Sequence, residues 1–358
     1  MFRRQVWRRL RLGVAGCGEV FERYHLPALT QSRHWDLVSI CDPLEARRDV
    51  VRKTFPRTLA FASFQEFLDR SPLDAVLITT PPITHCSLAR QALMNGLHVL
   101  VEKPMALSLR EARLMGEAAL HAHRTLWIGF SRRFRRPYVN LKRALAGRSR
   151  HRIQAMYFEL SSDPTRWNPV TRYLGNGSVG SGVLDDLASH QLDLLPWLLD
   201  LPARAVKAEY LTPPKTGSER VKYEVEFDNG LVAHCEAGHG PGYSEVLEVT
   251  WNDRRFVVDA GQRLELRWTG QNRLRPWHAL NAAGKAMVRL LFREPNLVLE
   301  SFERQLSAFA AAVRGENPSS QGADARSGLR TVIATQACWK SLQSHGSWQA
   351  LADPEEVP

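Results

Sequence analysis

The stretch Leu10-Arg-Leu-Gly-Val-Ala-Gly16-Cys-Gly18-Glu19-Val20-Phe21 decides the fold. Its apolar start reads as a strand, its glycines as a tight turn, and the residues after them as a helix amino terminus. Glycines at 16 and 18, with Glu19 and Val20 behind them, let backbone amides approach a pyrophosphate. The third glycine of G-x-G-x-x-G is missing; Phe21 stands there and is expected to push helix from strand or force a local rearrangement. Asp42 ends the next strand, where a carboxylate would accept hydrogen bonds from an adenosine ribose. Its plainer role is a turn residue before Pro43.

Outward from this turn, the first 130 residues alternate short apolar runs with amphipathic stretches. Strands are expected at 10–14, 37–41, 59–61, 75–79, 98–101 and 126–130, and helices at 24–32, 44–55, 64–69, 85–95 and 109–122. Ser63-Phe-Gln-Glu66 and Ser108-Leu-Arg-Glu111 carry the capping-box pattern of a helix start. Such alternation predicts an α/β Rossmann domain, a doubly wound parallel sheet, over 1–130. Beyond it come a linking helix at 137–146, a strand at 153–160 and an apolar helix at 183–199. Strand-like segments then succeed one another at 205–211, 221–227, 231–237, 245–251, 256–259 and 264–268, with Asp228-Asn-Gly230 as a hairpin turn. Two helices, 300–314 and 324–344, close the chain. Residues 131–358 therefore predict an α+β domain with a large, mostly antiparallel open sheet.

Two motifs carry the chemistry. In Gly182-Val-Leu-Asp-Asp186-Leu-Ala-Ser-His190, Asp186 and His190 stand four apart, one turn from each other on one face of a helix. A carboxylate there can orient an imidazole, which takes or gives a proton near neutral pH. The helix is apolar on most sides, so a charged pair in it needs partners or a cavity. In Glu102-Lys103-Pro104, Lys103 comes after the apolar run 97–101 and so sits at a strand's carboxyl end, the edge where open α/β sheets bind ligands. Lys103 would offer a positive charge to a substrate oxygen, and Glu102 would face solvent or a ribose; an exposed ion pair is the alternative. Thr80 and Pro81 come after the fourth strand on the same edge, with loop carbonyls toward a cofactor. His85 either caps the next helix or touches that cofactor. Arg132, Trp167, Arg172 and Tyr173 are candidates to line a substrate pocket, with surface or packing roles equally open. Joined to the glycine turn, these pieces point to hydride transfer.

Composition sets limits. The 358 residues are 44% hydrophobic and 24% charged, as in ordinary globular domains. No apolar run approaches the roughly 18 residues of a membrane span, and the basic amino terminus lacks the apolar core of a secretory signal. Five scattered cysteines without a Cys-x-x-Cys pair argue against a disulfide scaffold or zinc site and for reduced thiols in a cytoplasm. No metal site is expected. The net charge of +11 concentrates near 3–11 and 132–152. The second run is expected to be a solvated helix face plus linker; no nucleic-acid motif accompanies it, and nucleic acid is not an expected partner.

The chain resembles the Gfo/Idh/MocA oxidoreductases, the family of glucose–fructose oxidoreductase and inositol dehydrogenases. The matching pieces are Gly13-Val-Ala-Gly-Cys-Gly18, His25-Leu-Pro-Ala-Leu29, Thr80-Pro81 with His85, Gly96-Leu-His-Val-Leu-Val-Glu-Lys-Pro104, Ile128-Gly-Phe-Ser-Arg-Arg-Phe134, and 182–190, in family order. The C-terminal third matches only in general pattern. The resemblance implies a second domain whose open sheet serves oligomerisation, as a homodimer or homotetramer, and a nicotinamide cofactor. It implies Lys103, Asp186 and His190 around the reacting carbon: His190 as base in alcohol oxidation, Lys103 on the substrate oxygen, Asp186 orienting the imidazole. Phe21 departs from the family pattern, and so does Ala188, where glycine is frequent.

The reading is an NAD(H)-dependent oxidoreductase interconverting a secondary alcohol and a ketone on a sugar, cyclitol or related polar, possibly anionic, metabolite. Asp42 favours NAD, because a carboxylate repels a 2′-phosphate; Arg47 and Arg48 keep NADP open. The rivals are an NAD-assisted glycosidase of the same fold and a non-catalytic dinucleotide-sensing nucleic-acid-binding protein.

Overall fold

The computed structural model describes residues 8–146, 152–163, 182–212, 219–240, 242–252, 254–259, 263–268, 296–316 and 320–353. Its first sheet contains β1 (Leu10–Ala15), β2 (Trp35–Cys41), β3 (Leu59–Phe61), β4 (Ala75–Ile78), β5 (His98–Val101) and β6 (Leu126–Ile128). The order β3-β2-β1-β4-β5-β6, parallel throughout, is the doubly wound arrangement the alternation predicts. Between the strands run α1 (Leu26–Thr30), α2 (Glu45–Thr54), α3 (Phe64–Arg70), α4 (His85–Met94) and α5 (Leu109–Ala122). The Ser108 capping box is complete, each partner bonding the other's backbone amide. At Ser63 the side chain accepts from the Glu66 amide.

One expected helix differs. Residues 24–32 do not form one regular helix: a π-helical turn, Phe21–His25, precedes α1. Phe21 is wholly buried in one cluster with Leu12, Val14 and Trp35. The side chain that replaces the fingerprint glycine is thus packed as core, and the widened turn is the local rearrangement that admits it.

After β6, α6 (Arg136–Leu145) leads to β7 (Ile153–Ser162). A second π-helical turn, Leu184–Ala188, opens α7 (Ser189–Leu199). Then come β8 (Ala203–Thr212), β9 (Arg220–Phe227), β10 (Val232–His239), β11 (Ser244–Trp251), β12 (Arg254–Asp259) and β13 (Arg263–Trp268). With β14 (Gln349–Ala350), which no pattern in the sequence marks, the described sheet has eight strands in the order β13-β12-β11-β7-β10-β9-β8-β14. Only the β7–β10 pair is parallel among these described pairings.

The closing helices are α8 (Leu297–Val313) and α9 (Ala325–Gln343). Although they lie beyond residue 131, α8 packs into the first sheet's core: Phe302, Leu306 and Phe309 share a cluster with Trp35 and Trp127. The Trp35 indole donates to the Leu306 carbonyl at 2.8 Å. Trp127 and Asp324 form an isolated bridge, while Ala334, Ala337 and Cys338 of α9 join the second sheet's core. The C-terminal helices therefore clamp both sheets together, and each large buried side chain there contributes about 2–3 kcal/mol of apolar burial.

Candidate active site

The chain leaves β5 at the carboxyl edge through Glu102-Lys103-Pro104, with a cis Lys103–Pro104 bond. Lys103 Nζ reaches the second domain and donates to the Asp186 carbonyl and to Asp186 Oδ1, each at 2.8 Å. An ammonium has three N–H donors, so one remains. Asp186 Oδ2 faces His239 Nε2 at 3.3 Å. Burial pushes the Asp186 carboxyl upward, but Lys103 and His239 outweigh it and hold it well below the usual carboxylate range.

The expected Asp186–His190 pair is not formed. In the π-helical turn Leu184–Ala188 the backbone closes over five residues, so a four-residue step no longer brings two side chains into line. The carboxylate is spent on Lys103 and His239 instead. His190 is buried edge-on to Phe130, ring centroids 6.2 Å apart, and its Nδ1 is enclosed without a hydrogen-bond partner among the described residues. Burial, helped by Arg132, Lys103 and Arg135, holds the imidazole well below its usual range, in the neutral, proton-accepting form. His239 escapes a reading of the sequence because it ends β10, far from Asp186 in the chain, and no local spacing marks it. Next to Asp186, burial raises the Asp185 carboxyl to about 6 against a hydrogen bond from Trp339 Nε1.

At the glycine turn, Gly16 has φ 91°, and a Cβ there would stand 2.8 Å from the Thr79 and Thr80 backbone. Only glycine allows the β4 loop to lie so close. A Cβ on Gly18 would meet nothing but the Arg47 guanidinium, at 3.7 Å. The π-helical turn has no side-chain cap at Val20, and the Glu19 carboxylate pairs with Arg23.

Three carboxylate and imidazole groups expected to face a cofactor hold the protein's own backbone or side chains. Asp42 is buried: Oδ2 accepts from the Cys17 amide at 2.8 Å and Oδ1 from the Leu44 amide at 2.9 Å. Arg47 lies 3.6 Å from Oδ2, and Arg48 donates to the Asp42 carbonyl at 2.6 Å. Glu102 is buried rather than turned to solvent; its Oε1 lies 2.8 Å from His25 Nε2, and Oε2 accepts the Lys103 amide. His85 is no helix cap. Its two ring nitrogens sit 2.9 Å from the carbonyls of Thr80 and Pro104, tying the Pro81 loop to the Lys103 turn.

The arginine run also differs from a solvated face. Arg133 is buried in a two-pronged pair with Asp193, at 2.8 and 2.6 Å. Arg132 and Arg135 are buried on Glu245. Trp167, Arg172 and Tyr173 lie outside the described residues.

Residues 10–130 match the family model described as "Oxidoreductase family, NAD-binding Rossmann fold", and 144–260 that of the GFO/IDH/MocA C-terminal domain. The chain is 29% identical over 287 residues to 1-carboxy-3-chloro-3,4-dihydroxycyclohexa-1,5-diene dehydrogenase of Comamonas testosteroni, covering 77% of this chain and 68% of that one. It is 28% identical over 269 residues to glucose-6-phosphate 3-dehydrogenase of Bacillus subtilis, covering 70% and 75%. The structure of scyllo-inositol dehydrogenase from Lactobacillus casei, with bound NAD(H) and scyllo-inositol, superposes with a TM-score of 0.74 at 17% identity over 96% of this chain and 99% of that one.

Proposed function

The chain belongs to the Gfo/Idh/MocA family of NAD-dependent oxidoreductases, and from that premise we propose that it oxidises a secondary alcohol of a sugar, cyclitol or related polar metabolite, reversibly, at Lys103, Asp186 and His190. The observation that carries this reading is the 2.8 Å bond from Lys103 at the Rossmann edge to Asp186 in the second domain, beside a neutral, buried His190. The relatives named for a sugar phosphate and for a diene diol are likewise named as dehydrogenases.

The glycine turn fits a dinucleotide. Gly16 lets the turn lie against the Thr79–Thr80 backbone and Gly18 stands open but for the Arg47 guanidinium, so a pyrophosphate could approach the backbone there, where no side chain caps the turn that follows. Bound NAD supplies the hydride acceptor. The chain's residues then divide the remaining work. The third Lys103 N–H donates to the substrate oxygen and favours its developing negative charge. His190 takes the hydroxyl proton at Nε2, the resting proton sitting on the enclosed Nδ1. Asp186 holds Lys103 in place, and His239 fixes the far oxygen of Asp186.

NAD is the favoured cofactor. A 2′-phosphate on the ribose would approach the Asp42 carboxylate, and Arg48 is already committed to the Asp42 carbonyl. Fluorescence titration should show tighter NADH than NADPH binding, and Asp42→Ser should narrow the gap. A parent protein preferring NADPH tenfold contradicts the assignment. A homodimer or homotetramer built on the second sheet is part of the proposal; sedimentation of the purified chain tests it.

A further inference from the structure

Arg132 lies in the short turn Ser131–Phe134 and Arg135 directly after it, and both converge on Glu245 of β11. Arg132 Nε donates to Oε1 at 3.0 Å, and its terminal nitrogen lies 3.4 Å from Oε2. Arg135 donates to Oε2 at 2.8 Å, the Tyr138 hydroxyl to Oε1 at 2.6 Å, and the Tyr243 hydroxyl to Oε2. Glu245 is 0% exposed, and both arginines are buried. The lone pairs of this one carboxylate are fully taken, yet two guanidinium charges face it. Among the described residues the cluster carries one positive charge in excess, which is costly where water is excluded unless an anion answers it. A donor is left over as well: Arg135 Nε is enclosed with no hydrogen-bond partner among the described residues.

The excess charge sits by the candidate active site. Phe130, at the start of the turn that holds Arg132, packs its ring edge-on to His190, centroids 6.2 Å apart, and both arginines press on the His190 imidazole. Lys103 and Asp186 neutralise each other and offer no counter-charge. A neutral polyol would leave both the charge and the spare donor unanswered. We propose that the substrate carries an anionic group, a carboxylate or a phosphate, seated against the Arg132 and Arg135 guanidiniums while its secondary alcohol lies at His190. Guanidinium matches either anion through parallel N–H donors. The inference rests on the dehydrogenase reading for the position of the alcohol, but anion binding is measured without turnover.

The test uses NADH-loaded protein titrated calorimetrically with formate and, separately, inorganic phosphate, with chloride at matched ionic strength as control. Saturable binding of at least one anion over chloride is expected, and the stronger arm identifies the group. Arg135→Gln leaves a neutral Arg132–Glu245 pair and should weaken that binding about tenfold or more, the usual effect of losing a charged hydrogen-bond donor. NADH affinity should stay within about twofold, because the cofactor's own phosphates belong at Gly16 to Val20. No saturable anion binding, equal binding in Arg135→Gln, or a loss confined to NADH affinity overturns the proposal. Intact anion binding with no NADH formed from any polyhydroxy acid, sugar phosphate or neutral sugar counts against the dehydrogenase reading and leaves only the anion site standing, whereas a parent that oxidises neutral sugars alone overturns the proposal. Should Arg135→Gln fail to fold, Arg135→Lys, which keeps the charge and loses the spare Nε donor, is expected to weaken binding in the same direction.

Discussion

His190 is the residue whose chemistry the surrounding charges control most. Its pKa lies well below the ordinary value because of burial first and then Arg132, Lys103 and Arg135. Alcohol oxidation needs the neutral imidazole, so the acid limb of its pH–rate profile should fall below about 6.5, the value of free histidine. Removing a neighbouring cation raises the pKa. Arg132→Gln should therefore move that limb to higher pH, whereas Asp186→Asn should lower kcat by releasing Lys103 and, by leaving the Lys103 charge uncompensated, move the limb to lower pH. Profiles of kcat/KM across the acid range check both, and a limb that moves the same way in the two variants contradicts the arrangement. The sequence points to Lys103, Asp186 and His190 but pairs them wrongly, because spacing by four means one face only in a regular α-helix. His239 and Glu245 are beyond local reading: β10 and β11 bring them to Asp186 and Arg132 through sheet pairing, which no short motif records.

At the scale of elements, the strands and most helices are legible because alternation and capping are local. The ends of β2 and β5 fall where the apolar runs end, at Cys41 and Val101. The two π-helical turns are not legible, since widening depends on what the turn must pack around, as with Phe21 in the core beside Trp35. The second turn also holds Asp185, whose carboxyl burial lifts to about 6 from an ordinary 3.8. A raised folded-state pKa means that ionisation costs stability, and that this cost appears as pH rises from the unfolded value through about 6. Asp185→Asn should therefore stabilise the protein by about 1–2 kcal/mol at pH 8, less than the full shift because the amide needs its own partners. At pH 4 the gain should nearly vanish. Thermal unfolding at the two pH values reads the difference; an equal effect at both contradicts an ionised, strained carboxylate.

Over the whole molecule, two sheets are held in one arrangement by helices from the far end of the chain, with α8 in the first core and α9 shared with the second. The change from strand–helix alternation to successive strands foretells two such units but not this return, which depends on Trp35, Trp127 and Phe309 meeting across the chain. The clamp matters because the site is divided: Lys103 belongs to one sheet's edge and His190 to the helix packed on the other. If the reacting carbon lies between them, catalysis should fail on loss of His190 while the dinucleotide still binds to the first sheet. The direct measurement is the steady-state rate of NADH formation by parent and His190→Ala, on whichever polyhydroxy acid, sugar phosphate or sugar the parent oxidises, alongside NADH affinity by fluorescence. The expected result is a fall in kcat on the order of 10²-fold or more with NADH affinity nearly unchanged. A folded His190→Ala protein that binds NADH and turns over at the parental rate would contradict a reacting carbon placed between Lys103 and His190.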